Sequence, residues 1–204
     1  WGFGPALWDP LVARLPDVRV ERVDMGFRGT PQRPAYGRPP LVVAHSMGLA
    51  WALAHLPRPW AGLLAVNAFP RFTRAADFPD GVAPRLVERM RDRFADDPAG
   101  VTAEFLRRSG IADPAGLLEG LCPAPLGQAL DWLATCDERA GLAALGAPVQ
   151  ALAGSLDPLV PPAMSRAAFA GHPLAFAEGA GHLLPLSDPD WVASHLRLLA
   201  ARCG

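Results

Sequence analysis

The 204-residue sequence predicts an α/β fold, a mostly parallel sheet flanked by helices and carrying an inserted helical lid. Three observations lead there. Residues 41–44, 61–66 and 148–153 are short runs, apolar except for Gln150, as expected of strands buried on both faces of a parallel sheet. Helical patterns separate these runs, so strands and helices alternate. Residues 71–146 then break the alternation, with several helical patterns in succession and no strand among them.

Each element has a local cause. Asp9-Pro10 pairs an N-cap residue with proline at the first helical position and predicts a short helix through Leu15. Residues 18–23 (Val-Arg-Val-Glu-Arg-Val) alternate with period two and predict a strand. The link from there to Leu41 is barely long enough for a parallel crossover, and Pro31, Pro34, Pro39 and Pro40 oppose a helix in it. An extended loop is therefore expected, leaving one patch of sheet thinly covered. Tyr36 and Phe27 of the loop, or a partner subunit, are the candidates to close that patch. A helix over 47–56 ends at Pro57, and the strand over 61–66 follows. After the 148–153 strand come a helix over 162–170 and a last strand over 173–177. A closing helix opens at Asp190-Trp191 and carries Leu196, Leu198 and Leu199.

The division expected is a core of residues 1–70 and 147–204 with a lid of residues 71–146. Within the lid, Leu86, Met90 and Phe94 recur every four residues, and helices over 99–109, 114–122 and 126–135 continue the pattern. These stripes read as the insertion's own core. Because the insertion leaves the sheet just after a strand end, where α/β sites lie, it also reads as a cover over a site.

Composition narrows the function. A net charge of −1 gives no global attraction to nucleic acid or to a membrane surface. All the Lys-plus-Arg count is arginine, a bias that fits a GC-rich genome better than a function. Cys122, Cys136 and Cys203 lack metal-ligand spacing and read as reduced thiols. No His/Cys/Asp cluster suggests a metal and no Gly-rich loop suggests a phosphate, so no cofactor is expected. No run approaches the ~20 apolar residues that span a bilayer, and no signal peptide is visible, so the expectation is a cytoplasmic monomer. The chain starts at Trp1 and not at Met, so an upstream segment carrying further strands is expected.

The chemistry begins at Ala44-His45-Ser46-Met47-Gly48, where a buried strand turns sharply into an Ala- and Leu-rich helix. A serine on such an elbow exposes its hydroxyl beside free helix amides. It needs a base, and the base needs an orienting acid. Asp157, in Asp157-Pro158-Leu159-Val160-Pro161, lies just past one strand. His182, in Gly179-Ala180-Gly181-His182, lies just past another, on a loop that paired glycines allow to be tight. Taken singly, an Asp before Pro is a turn residue and a loop His a surface residue; together, in the order Ser, Asp, His, they predict a Ser46–His182–Asp157 triad. His45 points elsewhere and shapes the elbow, His55 and His195 sit in helices, and His172 has no acid partner at a suggestive spacing.

These three segments resemble the catalytic segments of the α/β-hydrolase superfamily. The start Trp1-Gly2-Phe3-Gly4-Pro5 is similar to the stretch just after the His-Gly of that family's oxyanion loop. Asp24-Met25-Gly26-Phe27-Arg28-Gly29, Val66-Asn67-Ala68-Phe69-Pro70-Arg71-Phe72 and Asp77-Phe78-Pro79-Asp80-Gly81 resemble the pimeloyl-[acyl-carrier protein] methyl ester esterases of biotin synthesis. So do Phe94-Ala95-Asp96-Asp97 and Phe105-Leu106-Arg107-Arg108-Ser109. The resemblance implies a serine carboxylesterase in which Ser46 attacks, His182 moves the proton and Asp157 holds the imidazole. It further implies an oxyanion hole formed by the Trp1 and Met47 amides, and an acyl pocket lined by Trp1, Phe105, Leu106, Arg107, Arg108 and Ser109. Its alternatives are a general short-acyl esterase or lactonase, and a catalytically silent binding protein. Ala44 replaces the family's first elbow glycine, and Gly100 and Glu104 replace two arginines that dock the carrier protein. Arg85, Arg89, Arg93, Arg107 and Arg108 could form a substitute patch for an acidic carrier, or simply a solvated face.

Overall fold

The computed structural model describes residues 1–203. Four parallel strands, β1 (Leu41–His45), β2 (Gly62–Val66), β3 (Val149–Gly154) and β4 (Leu174–Ala177), form one sheet in that order. In register, His45 lies beside Val66, Val66 beside Leu152, and Gly154 beside Ala177. The four carboxyl ends are therefore level, and the loops that leave them share one rim.

Both faces of the sheet are covered, which is why its strands are mostly apolar, with Gln150 of β3 and His45 at the end of β1 as the polar members. On one face Leu63, Ala65 and Ala151 pack with Leu49 and Leu53 of α2 (Met47–His55), Leu142 of α7 (Arg139–Ala143) and Phe169, just past α8 (Pro162–Ala168). On the other, Leu64, Val66 and Leu152 meet Leu11 of α1 (Asp9–Val12), Leu184 of α9 (Leu184–Ser187), and Val192 and Leu199 of α10 (Pro189–Ala200). A 3₁₀ turn, Pro5–Trp8, leads into α1.

Between β2 and β3 lie α3 (Pro84–Asp96), α4 (Pro98–Ser109), α5 (Ala115–Leu118), α6 (Pro123–Thr135) and α7. The Asp97 side chain caps α4 by accepting from the Gly100 amide, and left-handed Gly110 ends it. α3 packs on α4 and α6. A third apolar cluster joins Phe94, Leu126, Leu130 and Leu133 of these helices to Met47, Phe69, Val160 and Met164 above the sheet's carboxyl rim. The helices thus rest directly on the serine turn.

Several expectations need correction. Residues 18–23 are not a strand: Val18 and Val20 are exposed, and the nearest bridge joins Asp24 to Gln32. Alternation places side chains, but a strand also needs a neighbouring main chain within ~5 Å. Here a cavity of about 470 Å³ separates residues 18–24 from β1. The Pro-rich crossover contains no helix, and Tyr36 borders this cavity, its hydroxyl donating to the Pro57 carbonyl. Phe27 does not help to close it. That ring is buried in the third cluster, and its carbonyl accepts from the Cys122 amide. Asp9 is the first residue of α1, not its cap, and its carboxylate pairs with Arg22. Asp188 caps the last helix by accepting from the Trp191 amide, two residues upstream of Asp190. In α3 the buried side chains are Val87 and Phe94, whereas Leu86 is 45% exposed. The burial follows the 3.6-residue turn, not a spacing of four. The 114–122 helix shrinks to α5, and Gly120, at φ +68°, turns the chain away.

Candidate active site

Ser46 sits between β1 and α2 with φ +55° and ψ −131°, a conformation that non-glycine residues rarely adopt. Its amide still donates to the Val66 carbonyl, extending the sheet ladder and holding the turn in place. Ala44 is accommodated fully inside the core. The strained turn aims the Ser46 hydroxyl at His182, donating to Nε2 at 3.1 Å.

His182 Nδ1 in turn donates to Asp157 Oδ2 at 2.8 Å. The three side chains are drawn from separate loops on the same rim, and all are buried. Asp157 Oδ1 accepts from the amides of Leu159 and Val160 at 2.8 and 2.9 Å. Burial would push the Asp157 carboxyl up, but the His182 contact and these two amides outweigh it and hold the group below its ordinary value. It is therefore an anion that fixes Nδ1 as the protonated nitrogen and leaves Nε2 free to accept the serine proton.

Only one of the paired glycines before His182 needs its conformational freedom: Gly179 has φ +74°, while a Cβ on Gly181 would meet nothing. The tight fit lies at Gly154, the end of β3. A Cβ there would come within 2.3 Å of the Gly181 carbonyl oxygen and 2.4 Å of that of Ala180. The histidine loop crosses over Gly154 because that residue has no side chain.

Sequence reasoning missed two contacts. His45 Nε2 donates to the main-chain carbonyl of His182 at 2.8 Å, and the two rings lie 4.8 Å apart. Burial first, and then the neighbouring His182, press the His45 pKa down to about 3, so the ring stays neutral. Asn67, one residue past β2, donates from Nδ2 to Asp157 Oδ2 at 2.8 Å and to the Gly181 carbonyl at 3.2 Å. The signal for Asn67 was a polar residue ending a fully apolar strand at the rim that carries the triad.

The other candidate residues divide by position. Met47 is the first residue of α2, so its amide has no partner within the helix. The Trp1 ring lies edge-on to Phe94 and Phe105, at 5.7 and 5.0 Å, and its Nε1 donates to the Leu126 carbonyl. Phe105 and Leu106 face the Trp1-Gly2 segment. Ser109 is buried, and its hydroxyl donates back to the Phe105 carbonyl. Arg107 and Arg108 are exposed, and Arg108 reaches across to the Pro158 carbonyl beside the acid. Arg93 pairs with Glu104, while Arg85 and Arg89 lie on the exposed side of α3. Among the described residues, no group of three or more His, Cys, Asp or Glu is placed to hold a metal, and no helix is long and apolar enough to cross a membrane.

A parallel α/β sheet that carries a strained serine, a histidine and a buried aspartate on one rim defines the class: the chain belongs to the alpha/beta hydrolase family, whose model matches residues 1–195. Among relatives, it is 32% identical to the pimeloyl-[acyl-carrier protein] methyl ester esterase of Aromatoleum aromaticum, over 93% of this chain and 91% of that protein. It is also 29% identical to the biotin biosynthesis bifunctional protein BioHC of Cellvibrio japonicus; that match takes in 95% of this chain but only 45% of the longer relative. Among solved structures, an esterase from Exiguobacterium antarcticum superposes with a TM-score of 0.80 at 19% identity, over 100% of this chain and 88% of the other. At that identity the likeness concerns the fold.

Proposed function

We propose that this chain is a serine carboxylesterase that works through an acyl-enzyme. The observation that carries the reading is the unbroken path from the Ser46 hydroxyl through His182 to the Asp157 anion, at 3.1 and 2.8 Å. Ser46 attacks the ester carbonyl as His182 Nε2 takes its proton. The same imidazolium then protonates the departing alkoxide, and the alcohol leaves. Water, deprotonated by His182, cleaves the acyl-serine to the free acid and restores the hydroxyl. The oxyanion is held by the Met47 amide and the main-chain nitrogen of Trp1; one such donor is worth roughly 10²–10³ in turnover.

The substrate we favour is a pimeloyl methyl ester on an acyl-carrier protein, a reading supported by the relatives at about 30% identity that carry that name. Residues 71–146 act in this proposal as a lid whose Trp1-facing residues Phe105 and Leu106 line the acyl path. Exposed Arg85, Arg89 and Arg107 would meet the acidic carrier. One observation favours a broader esterase: Glu104 puts an acidic group on the helix face offered to an acidic carrier, and it already engages Arg93. Expression in a biotin-requiring strain that lacks its own esterase tests the choice. Restored growth, lost in Ser46→Ala, is the expected result. An active protein that fails to restore growth would leave the broader esterase.

A further inference from the structure

Asn67 stands where three parts of the site meet, and no role in catalysis has been assigned to it. Its amide nitrogen donates to the Leu152 carbonyl and so continues the β2–β3 ladder. Its φ of +46° is left-handed, which asparagine tolerates better than most residues. The side chain is fully buried, and its Nδ2 splits between Asp157 Oδ2 and the Gly181 carbonyl. Both partners are pure acceptors, so the orientation of the amide is fixed; turned over, Oδ1 would face two oxygens. Oδ1 is left without a partner among the described residues.

The two donors on Asp157 Oδ1 belong to the acid's own loop and turn with it. On Oδ2, one donor is His182 and the other is Asn67. Asn67 is thus the side chain through which the carboxylate is tied to the sheet. Its second bond grips the carbonyl just before His182. We propose that Asn67 is a positioning residue that sets the acid and the base against each other by holding both of their loops to the end of β2. This rests on the serine-esterase reading, and it adds a fourth side chain to that machinery.

The test is steady-state hydrolysis of p-nitrophenyl acetate across pH by wild type, Asn67→Gly and Asn67→Asp, with thermal melts to confirm folding. Glycine keeps the left-handed backbone and removes the amide. We expect kcat to fall on the order of 10- to 100-fold with KM little changed, the scale of a misplaced catalytic group. The acidic limb of kcat/KM should move to higher pH, because Asp157, released from one donor, holds the His182 proton more strongly. Aspartate keeps the shape but sets an acceptor against Asp157, so Asn67→Asp should be the slower of the two variants at neutral pH. A role in filling space predicts the reverse order. Wild-type kcat and pH profile in Asn67→Gly, an Asn67→Asp variant faster than Asn67→Gly, or failure of both variants to fold would overturn the proposal. Inactive wild type would instead sink the esterase reading itself.

Discussion

His45 bonds the main-chain carbonyl of His182, and Asn67 that of Gly181 just before it; neither contact could be read from local pattern. Asn67 and Asp157 are 90 residues apart, and His45 and His182 are 137 apart. The triad itself was legible because each member follows a strand end, and strand ends leave a local signature. A contact between two loops does not. His45 also has a measurable consequence. Its pKa lies near 3 when folded, against 6.5 for the free side chain, so the unfolded chain binds more protons between those values. Its contribution to stability is therefore complete above about 6.5 and lost as pH falls towards 3, a change on the order of several kcal/mol. Urea midpoints should drop over that window, and His45→Gln should flatten the slope. A midpoint insensitive to pH from 7 to 4 in the parent chain would contradict this account.

Strands β1 to β4 were visible in sequence because their side chains are nearly all apolar, β2 and β3 being fully buried and β4 half-buried. Residues 18–23 show the limit of that reading: period two marks side-chain direction, while pairing depends on what lies alongside. The helices between β2 and β3 were visible too, although Leu86 and Val87 exchanged places because burial is settled by the packing partners. What fastens these helices to the sheet was not visible. Arg71 and Asp137 form a bridge where the chain leaves the sheet and returns, and Arg139 joins Asp137 to Asp77. The Arg139 hydrogen bond, and then Arg71, hold the Asp137 carboxyl well below its usual range despite partial burial. The clasp is therefore complete above pH ~4 and opens only in stronger acid. Because the groups remain partly exposed, Asp137→Asn should cost only about 1 kcal/mol. Its sharper effect should be faster hydrogen exchange in α3–α7, with β2 and β3 unchanged. Equal loosening of sheet and helices would show that the clasp has no local role.

In the molecule as a whole, two apolar layers sandwich the sheet, and a third unites the inserted helices with the serine turn. Leu64, completely buried under α10, belongs to the sandwich, and Leu64→Ala should cost about 2–5 kcal/mol in denaturant titration. The outer edge of β1 has no paired neighbour among the described residues, a feature that invites association. Residues 18–24 lie across the cavity from that edge and carry Arg19, Glu21 and Arg22, which engage one another or Asp9. A charged screen of this kind opposes edge-to-edge pairing, so solution scattering of this chain should report a monomer; a dimer would show that the screen does not prevent association.

The central claim is that Ser46, driven by His182 and Asp157, is a working nucleophile. Incubation with a fluorophosphonate followed by peptide mass spectrometry tests it most directly. The predicted result is one covalent adduct on the peptide containing Ser46, formed rapidly by the parent chain and slowed by a factor of up to about 10⁶ in His182→Ala. A folded parent chain that takes no label, or that is labelled equally fast without His182, would contradict it.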